Sequence, residues 1–211
     1  MALKRDEYGA LWGTDNPENI IYTDISYWNK VKFVYGGGGS DLIDFRKSNV
    51  KKELYGEAGD DTIYGSSASD TINGGTGDDY IVGGKGTNTI EYSGSYFGTD
   101  TIYYTKGEKL YIDFRSLGYT LGEGFLWGYS TDVSLSYDIK NNYSVKSVTD
   151  MNKSILKIKT SNGTIMLRNF TYNTLTSNAD VILRFKDTDY SLKKNAGVFV
   201  NVFNTLKYTG T

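Results

Sequence analysis

The sequence has no cysteine, no histidine and a single proline in 211 residues. Without cysteine there is no disulfide framework, no thiolate zinc site and no cysteine nucleophile. Without histidine the commonest general acid/base and the commonest transition-metal ligand are gone. A Ser-His-Asp triad and an HExxH zinc protease are therefore excluded. Charge of one sign is also lacking. The 23 basic and 25 acidic residues leave a formal net charge of −2, which gives no whole-chain attraction to nucleic acid or to an anionic membrane. No segment approaches the roughly 18 consecutive apolar residues of a membrane helix. The start, Met1 to Trp12, is charged and lacks an apolar h-region, so no standard signal peptide is expected. The chain is then cytosolic, or leaves by a route without such a signal, or is a fragment. The metal chemistry that survives these absences uses oxygen ligands, which favours hard cations such as calcium.

What is abundant is glycine, with 25 residues, well above the average share of about 7%. Fifteen of them fall between Gly36 and Gly98, with a nine-residue period. Gly74 to Val82 (GGTGDDYIV) is followed directly by Gly83 to Glu91 (GGKGTNTIE). Gly36 to Asp44 (GGGGSDLID), Gly56 to Tyr64 (GEAGDDTIY) and Gly65 to Asn73 (GSSASDTIN) share the pattern G-G-x-G-x-D-x-U-x. Weaker units at Gly13 to Ile21, Tyr27 to Tyr35, Lys47 to Tyr55 and Ser95 to Tyr103 extend it, with short insertions between some of them. Position eight then reads Ile20, Val34, Ile43, Leu54, Ile63, Ile72, Ile81, Ile90 and Ile102, all aliphatic.

Each unit is six turning residues and a three-residue strand. Glycine permits the positive φ that the turns need. Alternation along the strand points position eight to one face and positions seven and nine to the other. The aliphatic column is therefore expected to face inward and stack turn on turn.

This tandem pattern resembles the repeats-in-toxin (RTX) family of calcium-binding secreted proteins, whose nonapeptide builds a parallel β-helix. The resemblance covers residues 13–112. It implies an all-β fold: a parallel β-roll of nonapeptide repeats over 13–112, followed by an antiparallel, β-rich C-terminal cap over 113–211. Leu156 to Thr160 and Thr164 to Arg168, around Ser161-Asn162-Gly163, read as a hairpin. This strand–turn–strand element, ending at Asn169-Phe170, is similar to the capping segment that follows the repeats in many RTX proteins. Val181 to Phe185 and Val198 to Phe203 read as further strands.

In the family's two-sheet roll, successive units alternate sheets, so loops two units apart share an edge about 4.7–4.9 Å apart. Sorting position six by parity gives two columns. One carries Glu18, Asp41, Asp61, Asp79 and Asp100; the other carries Lys32, Lys52, Asp70, Asn88 and Glu108. Stacked carboxylates repel, and a cation between turns removes the repulsion while taking backbone carbonyls as further ligands. Calcium, with six to eight oxygens in flexible geometry, suits such a loop-built site. Several Ca2+ ions are expected, the strongest sites lying between Asp41 and Asp61, Asp61 and Asp79, and Asp79 and Asp100. Glu18 with Asp41 is a weaker site, and Asp70 with Asn88 is one on the other edge. The loop glycines Gly37, Gly39, Gly56, Gly59, Gly75, Gly77, Gly84 and Gly86 complete the metal-binding set. The lysines at position six either stand in for a cation or mark degenerate turns. Asp60 and Asp78, at position five, are read as solvated.

Residues 36–103 hold eleven acids against five bases. With so much glycine the ordering entropy is high, so this segment is expected to be expanded without calcium and rigid with it. The resemblance further implies a secreted, extracellular, monomeric module with no catalytic residues. It would be exported by a type I secretion apparatus as the C-terminal part of a toxin, enzyme or adhesin, with an export signal within Val198 to Thr211. The alternative is a calcium-dependent adhesin binding cell-surface glycan through the Tyr35, Tyr55, Tyr64 and Tyr103 stripe or the cap. A small enzyme using an acid pair such as Asp132 and Asp138 is the remaining reading. Trp12, Trp28 and Trp127 are expected to anchor the cap or the insertions.

Overall fold

The computed structural model describes residues 3–23, 26–119, 133–138, 155–170, 180–186 and 189–192. The chain is all-β, a parallel solenoid whose turns alternate between two sheets. Beside the strands, the described residues hold one helical turn, Ser26–Asn29, and a 3-10 turn, Arg115–Leu117.

The first sheet runs β1 (Lys4–Arg5), β2 (Ala10–Trp12), β4 (Phe33–Gly38), β6 (Glu53–Ala58), β8 (Thr71–Thr76), β10 (Thr87–Glu91), β12 (Lys109–Asp113), β16 (Asp180–Arg184) and β17 (Asp189–Ser191). It is parallel from β2 to β16, and β1 and β17 close its ends antiparallel. The second sheet begins at β3 (Asn19–Ile21) and continues through β5 (Leu42–Asp44), β7 (Thr62–Tyr64), β9 (Tyr80–Val82), β11 (Gly98–Tyr103) and β15 (Gly163–Arg168), all parallel. The antiparallel strands β14 (Ile155–Thr160) and β13 (Val133–Asp138) follow.

The aliphatic column is the core. Val34, Leu54, Ile72 and Ile90 pair in register in the first sheet. Ile20, Ile43, Ile63, Ile81 and Ile102 do so in the second. All nine are fully buried. The column runs on past the repeats: Leu11 lies beside Val34, Ile112 beside Ile90, Leu183 beside Ile112 and Leu167 beside Ile102. The expected hairpin is present as β14 and β15. Through β15 and β16 the second half of the chain adds a strand to each sheet rather than packing as a separate layer. Val198 to Phe203 and Trp127 lie outside the described residues.

The residue directly after a strand, position one of the next unit, is mostly glycine or aromatic. It is glycine at Gly13, Gly36, Gly56, Gly65, Gly74 and Gly83. It is aromatic at Tyr22, Phe45, Tyr92, Tyr104, Phe114 and Phe185, while Asn169 follows β15 and Phe170 comes one residue later. Tyr22 and Phe45 pack with ring centroids 5.8 Å apart, Tyr104 and Phe170 edge-on at 5.5 Å, and Tyr92, Phe114 and Phe185 at 5.8 and 5.9 Å. Tyr22, Phe45, Tyr92, Tyr104 and Phe114 each donate their backbone N–H to the next turn's strand, as Gly13 and Gly65 do. The aromatic columns therefore continue the same backbone path with a hydrophobic filling. Asn169 pins the last of them by donating its side-chain amide to the Tyr104 carbonyl at 2.9 Å.

Each three-residue strand gives the core a single inward side chain, so the column has no redundancy. Ile72→Ala, in the middle of the first sheet, is expected to cost about 3 kcal/mol from lost burial and the cavity left behind. Urea unfolding at saturating calcium checks this.

Candidate metal centre

Along one edge of the roll the position-six carboxylates form a hydrogen-bonded ladder. One oxygen of each accepts the backbone N–H of the preceding turn's position-six residue. Asp41 accepts from Glu18 at 2.7 Å, Asp61 from Asp41 at 2.7 Å, Asp79 from Asp61 at 2.9 Å and Asp100 from Asp79 at 3.0 Å. All four side chains are buried. Their second oxygens, Oδ2 of Asp41, Asp61, Asp79 and Asp100, are buried with no hydrogen-bond partner. Buried carboxylate oxygens are normally paired, and a row of unpaired ones marks the place of an ion.

These oxygens sit over the position-one glycines of their own units. A Cβ on Gly56 would lie 2.1 Å from Asp61 Oδ2, and one on Gly74 would lie 2.0 Å from Asp79 Oδ2. Glycine is thus needed so that the carboxylate can fold back into the loop. The position-four carbonyls stack from turn to turn along the same loops. The Gly39 oxygen faces the Cα of Gly59, the Gly59 oxygen that of Gly77, and the Gly77 oxygen that of Gly98. Among the described residues no group of three or more Asp and Glu side chains forms a cluster. An ion here would take one carboxylate oxygen from each of two turns and fill its shell with backbone carbonyls, a donor set suited to calcium.

Burial pushes these carboxyls up, to about 7 for Asp61, about 6 for Asp79 and about 8 for Asp100, with neighbouring carboxylates adding to the rise. Asp41 is raised in the same way. Glu18 behaves differently. Its carboxylate accepts both the backbone N–H of Thr14, at 2.9 Å, and the Thr14 hydroxyl, and these bonds hold it below its usual value. Glu18 closes the column instead of extending it.

The second edge has the same backbone and a different chemistry. Asp70 Oδ1 accepts from the Lys52 N–H at 2.7 Å and the Ser66 hydroxyl at 3.0 Å, and its Oδ2 accepts from the Ser66 N–H at 2.5 Å. Asn88 accepts from the Asp70 N–H at 3.0 Å and donates its amide to Glu108 at 2.9 Å and to the Lys85 carbonyl at 3.2 Å. Glu108 also accepts from the Thr105 N–H at 2.6 Å. Every side-chain oxygen of Asp70, Asn88 and Glu108 has a partner. Lys52 is fully buried, and its ammonium donates to the carbonyls of Val31 at 2.6 Å and Trp28 at 3.2 Å. Burial pushes its pKa down and Asp70 pushes it back up. Lys32, its counterpart one turn earlier, is exposed.

The remaining residues singled out from sequence separate clearly. Positions two and four at Gly37, Gly39, Gly59, Gly75 and Gly77 turn with positive φ on the first edge, and Gly84 and Gly86 do so on the second. Glu57, at position two, has a φ of 76° without being glycine. Asp60 and Asp78 are exposed, yet each accepts a backbone N–H from the next turn, at 2.8 and 2.7 Å. Trp28 packs against the core. Trp12 does not anchor an insertion. It stacks on Tyr35 at 4.0 Å on the outer sheet face, and Tyr35 stacks on Tyr55 at 4.9 Å. Asp132 lies outside the described residues, and Asp138 ends β13. The aromatic residues at position one were missed. The signal was present, an aromatic immediately after the strands that end at Ile21, Asp44, Glu91, Tyr103, Asp113 and Arg184.

Residues 55–90 match the family model of the RTX calcium-binding nonapeptide repeat, in four copies. This segment is an RTX repeat array. No relative among the curated proteins matches the chain. RTX nonapeptide repeats bind Ca2+, several ions across a run of repeats. They occur in secreted bacterial proteins and are structural and calcium-binding elements. The matched stretch includes Asp61 and Asp79, with the orphaned oxygens, and Asp70 and Asn88, with the satisfied ones.

Two outcomes follow from the RTX column. The raised carboxyls bind protons more tightly in the folded roll than in the open chain. Without metal the roll therefore gains protons on folding, and its stability falls as pH rises from the usual carboxylate range, about 4, through 6 to 8. In chelator, circular dichroism should show a larger folded fraction at pH 5 than at pH 8, where the chain is expanded, and saturating calcium should remove most of that difference. Gly74→Ala should displace the Asp79 carboxylate and weaken calcium uptake about tenfold or more, read by chelator competition. Gly65→Ala, on the satisfied edge, would press on the Gly83 carbonyl at 2.3 Å without touching a bare oxygen; it is the comparison for strain on the roll alone and should weaken uptake less.

Proposed function

We propose that this chain is a calcium-dependent folding module whose ions lie along the first edge. They sit between Asp41 and Asp61, Asp61 and Asp79, and Asp79 and Asp100. Backbone carbonyls of the loops around Gly37, Gly39, Gly56, Gly59, Gly75 and Gly77 complete their shells. The observation that carries this reading is the row of four buried, unpartnered carboxylate oxygens. Residues 13–112 form the metal-bearing roll, and the later strands close its end.

On the second edge Lys52 brings one positive charge to two backbone carbonyls, the kind of ligand a cation would use there. Ser66 supplies Asp70 with a hydroxyl donor that a glycine lacks, in addition to its backbone N–H. Asp70 and Asn88, with the loop of Gly84 and Gly86, are read as a turn closed by protein groups alone.

The module's role is to delay folding until calcium is plentiful. At cytosolic calcium the repeat segment, acidic and glycine-rich, stays open and fits a secretion channel. Outside the cell, sites of roughly 10⁻⁴ to 10⁻³ M fill and the roll closes. Type I export of a larger toxin, enzyme or adhesin is the setting that this property serves. The adhesin alternative finds less support, because both faces of Tyr35 are covered by Trp12 and Tyr55.

A calcium titration of the full chain, followed by circular dichroism and small-angle scattering, tests the reading. The chain should be expanded in chelator and compact at millimolar calcium. Asp79→Asn keeps the acceptor for the Asp61 N–H but removes a charge shared by two sites, and should raise the midpoint about tenfold or more. Asp70→Asn should move it far less. A spectrum unchanged from chelator to millimolar calcium would refute the function.

A further inference from the structure

The carboxylate column ends at Asp100. On the next turn β15 sets Ile165 in register with it, and isoleucine brings no oxygen. Asp100 Oδ2 is nevertheless buried and unpartnered. Outside the four carboxylates of the column, one side-chain oxygen in the described residues shares that state, the hydroxyl of Tyr92, on a residue 2% exposed.

Tyr92 stands where the earlier turns have glycine. The pairing of Ile90 with Ile72 carries it to the level of Gly74, and its N–H donates to the Asp113 carbonyl at 3.0 Å. In those earlier turns the Asp Oδ2 fills the space of the missing Cβ. Here a phenol ring enters instead, held 4.4 Å from Phe97 and 5.8 Å from Phe114. The spacing between successive column carboxylates grows from 18 residues to 21 to admit it. The hydroxyl lies close enough to Asp100 to interact with its carboxylate, and it feels the charge of Asp79 as well. A buried tyrosine hydroxyl normally finds a partner. The nearest group to this one is the Asp100 carboxylate, but the pair is not aligned as a hydrogen bond and leaves both oxygens open to a shared cation.

We propose that the Tyr92 hydroxyl oxygen is an additional ligand of the cation held between Asp79 and Asp100. The proposal rests on the calcium reading above. It gives the last site a neutral protein oxygen at the point where the next turn supplies no carboxylate. It also explains why an aromatic residue with a hydroxyl occupies position one here, while Phe114 and Phe185 suffice one and two turns later.

The test uses the full chain, with calcium calorimetry and the calcium-induced tyrosine difference spectrum in the near ultraviolet. Tyr92→Phe should weaken one site about tenfold, leave the others unchanged, and abolish a component of the difference spectrum. Tyr22→Phe is the control. That tyrosine is buried too, but its hydroxyl donates to Asn29 at 2.7 Å; its loss should remove only the signal of a ring buried on folding and leave every calcium site in the isotherm unchanged. If Tyr92→Phe does not fold, the double variant Asp79→Asn, Asp100→Asn keeps the phenol and should lose the same spectral component. An isotherm and spectrum of Tyr92→Phe identical to the parent overturn the proposal while leaving the calcium reading intact. So does a double variant that retains the component. A parent chain that takes up no calcium overturns both.

Discussion

Four carboxylates in a buried row, one strand spacing apart, are the constraint on which the rest of this structure depends. Each uses one oxygen to hold the turn before it and leaves the other bare. At about 4.8 Å and an effective dielectric near 20, adjacent charges repel by about 3 kcal/mol per neighbouring pair. A domain's whole stability is of order 5–15 kcal/mol. The ladder that sets the register of the first edge is thus also the feature that would open it. Positive charge must enter between the turns, or protons must.

The fold supplies three ways to fill the same arc of backbone. The first edge leaves a bare oxygen over a glycine. The second edge satisfies its oxygens with a serine hydroxyl, an asparagine amide and a lysine ammonium. The ends abandon polarity and stack aromatic rings. What chooses among them is local: an aromatic ring at position one, or a polar side chain within reach of the position-six residue. The Ser66 hydroxyl is a donor to Asp70 in addition to the Ser66 backbone N–H, and Gly37 and Gly75 have no side chain to provide it for Asp41 and Asp79.

Much of this was legible in the sequence, because a strict nine-residue phase fixes which residues stack. Position eight named nine core residues, and parity sorted position six into the two columns that the hydrogen bonds follow. What escaped was whatever the phase did not govern. Insertions stretch the spacing of column partners to 20, 21 and 23 residues, and there strand pairing, not counting, decides the register. Leu11 and Ile112 therefore continue the core beyond the recognisable units, and Tyr92 takes a glycine's place although two residues separate it from the unit read at Ser95. The difference between Lys32 and Lys52 was invisible for a related reason. Both occupy position six, but only Lys52 has the carbonyls of Val31 and Trp28 within reach, set there by the helical turn and the loop after it.

The asymmetry of the two edges bears on how the roll responds to metal. Only one edge carries unbalanced charge, yet the strands of the second sheet between the arcs are three residues long. Such strands have little pairing of their own, and a single buried side chain each. A turn that loses its arc on one side loses the anchor of a strand that serves the common column. The second edge and the aromatic ends can hold their own loops without cations, but they cannot hold the middle strands in place, because the same Ile63 and Ile81 must pack against Leu54 and Ile72 from the opposite sheet. Metal dependence confined to a few loops is thereby passed to the whole core, and a chain with one charged edge can respond to calcium as a unit.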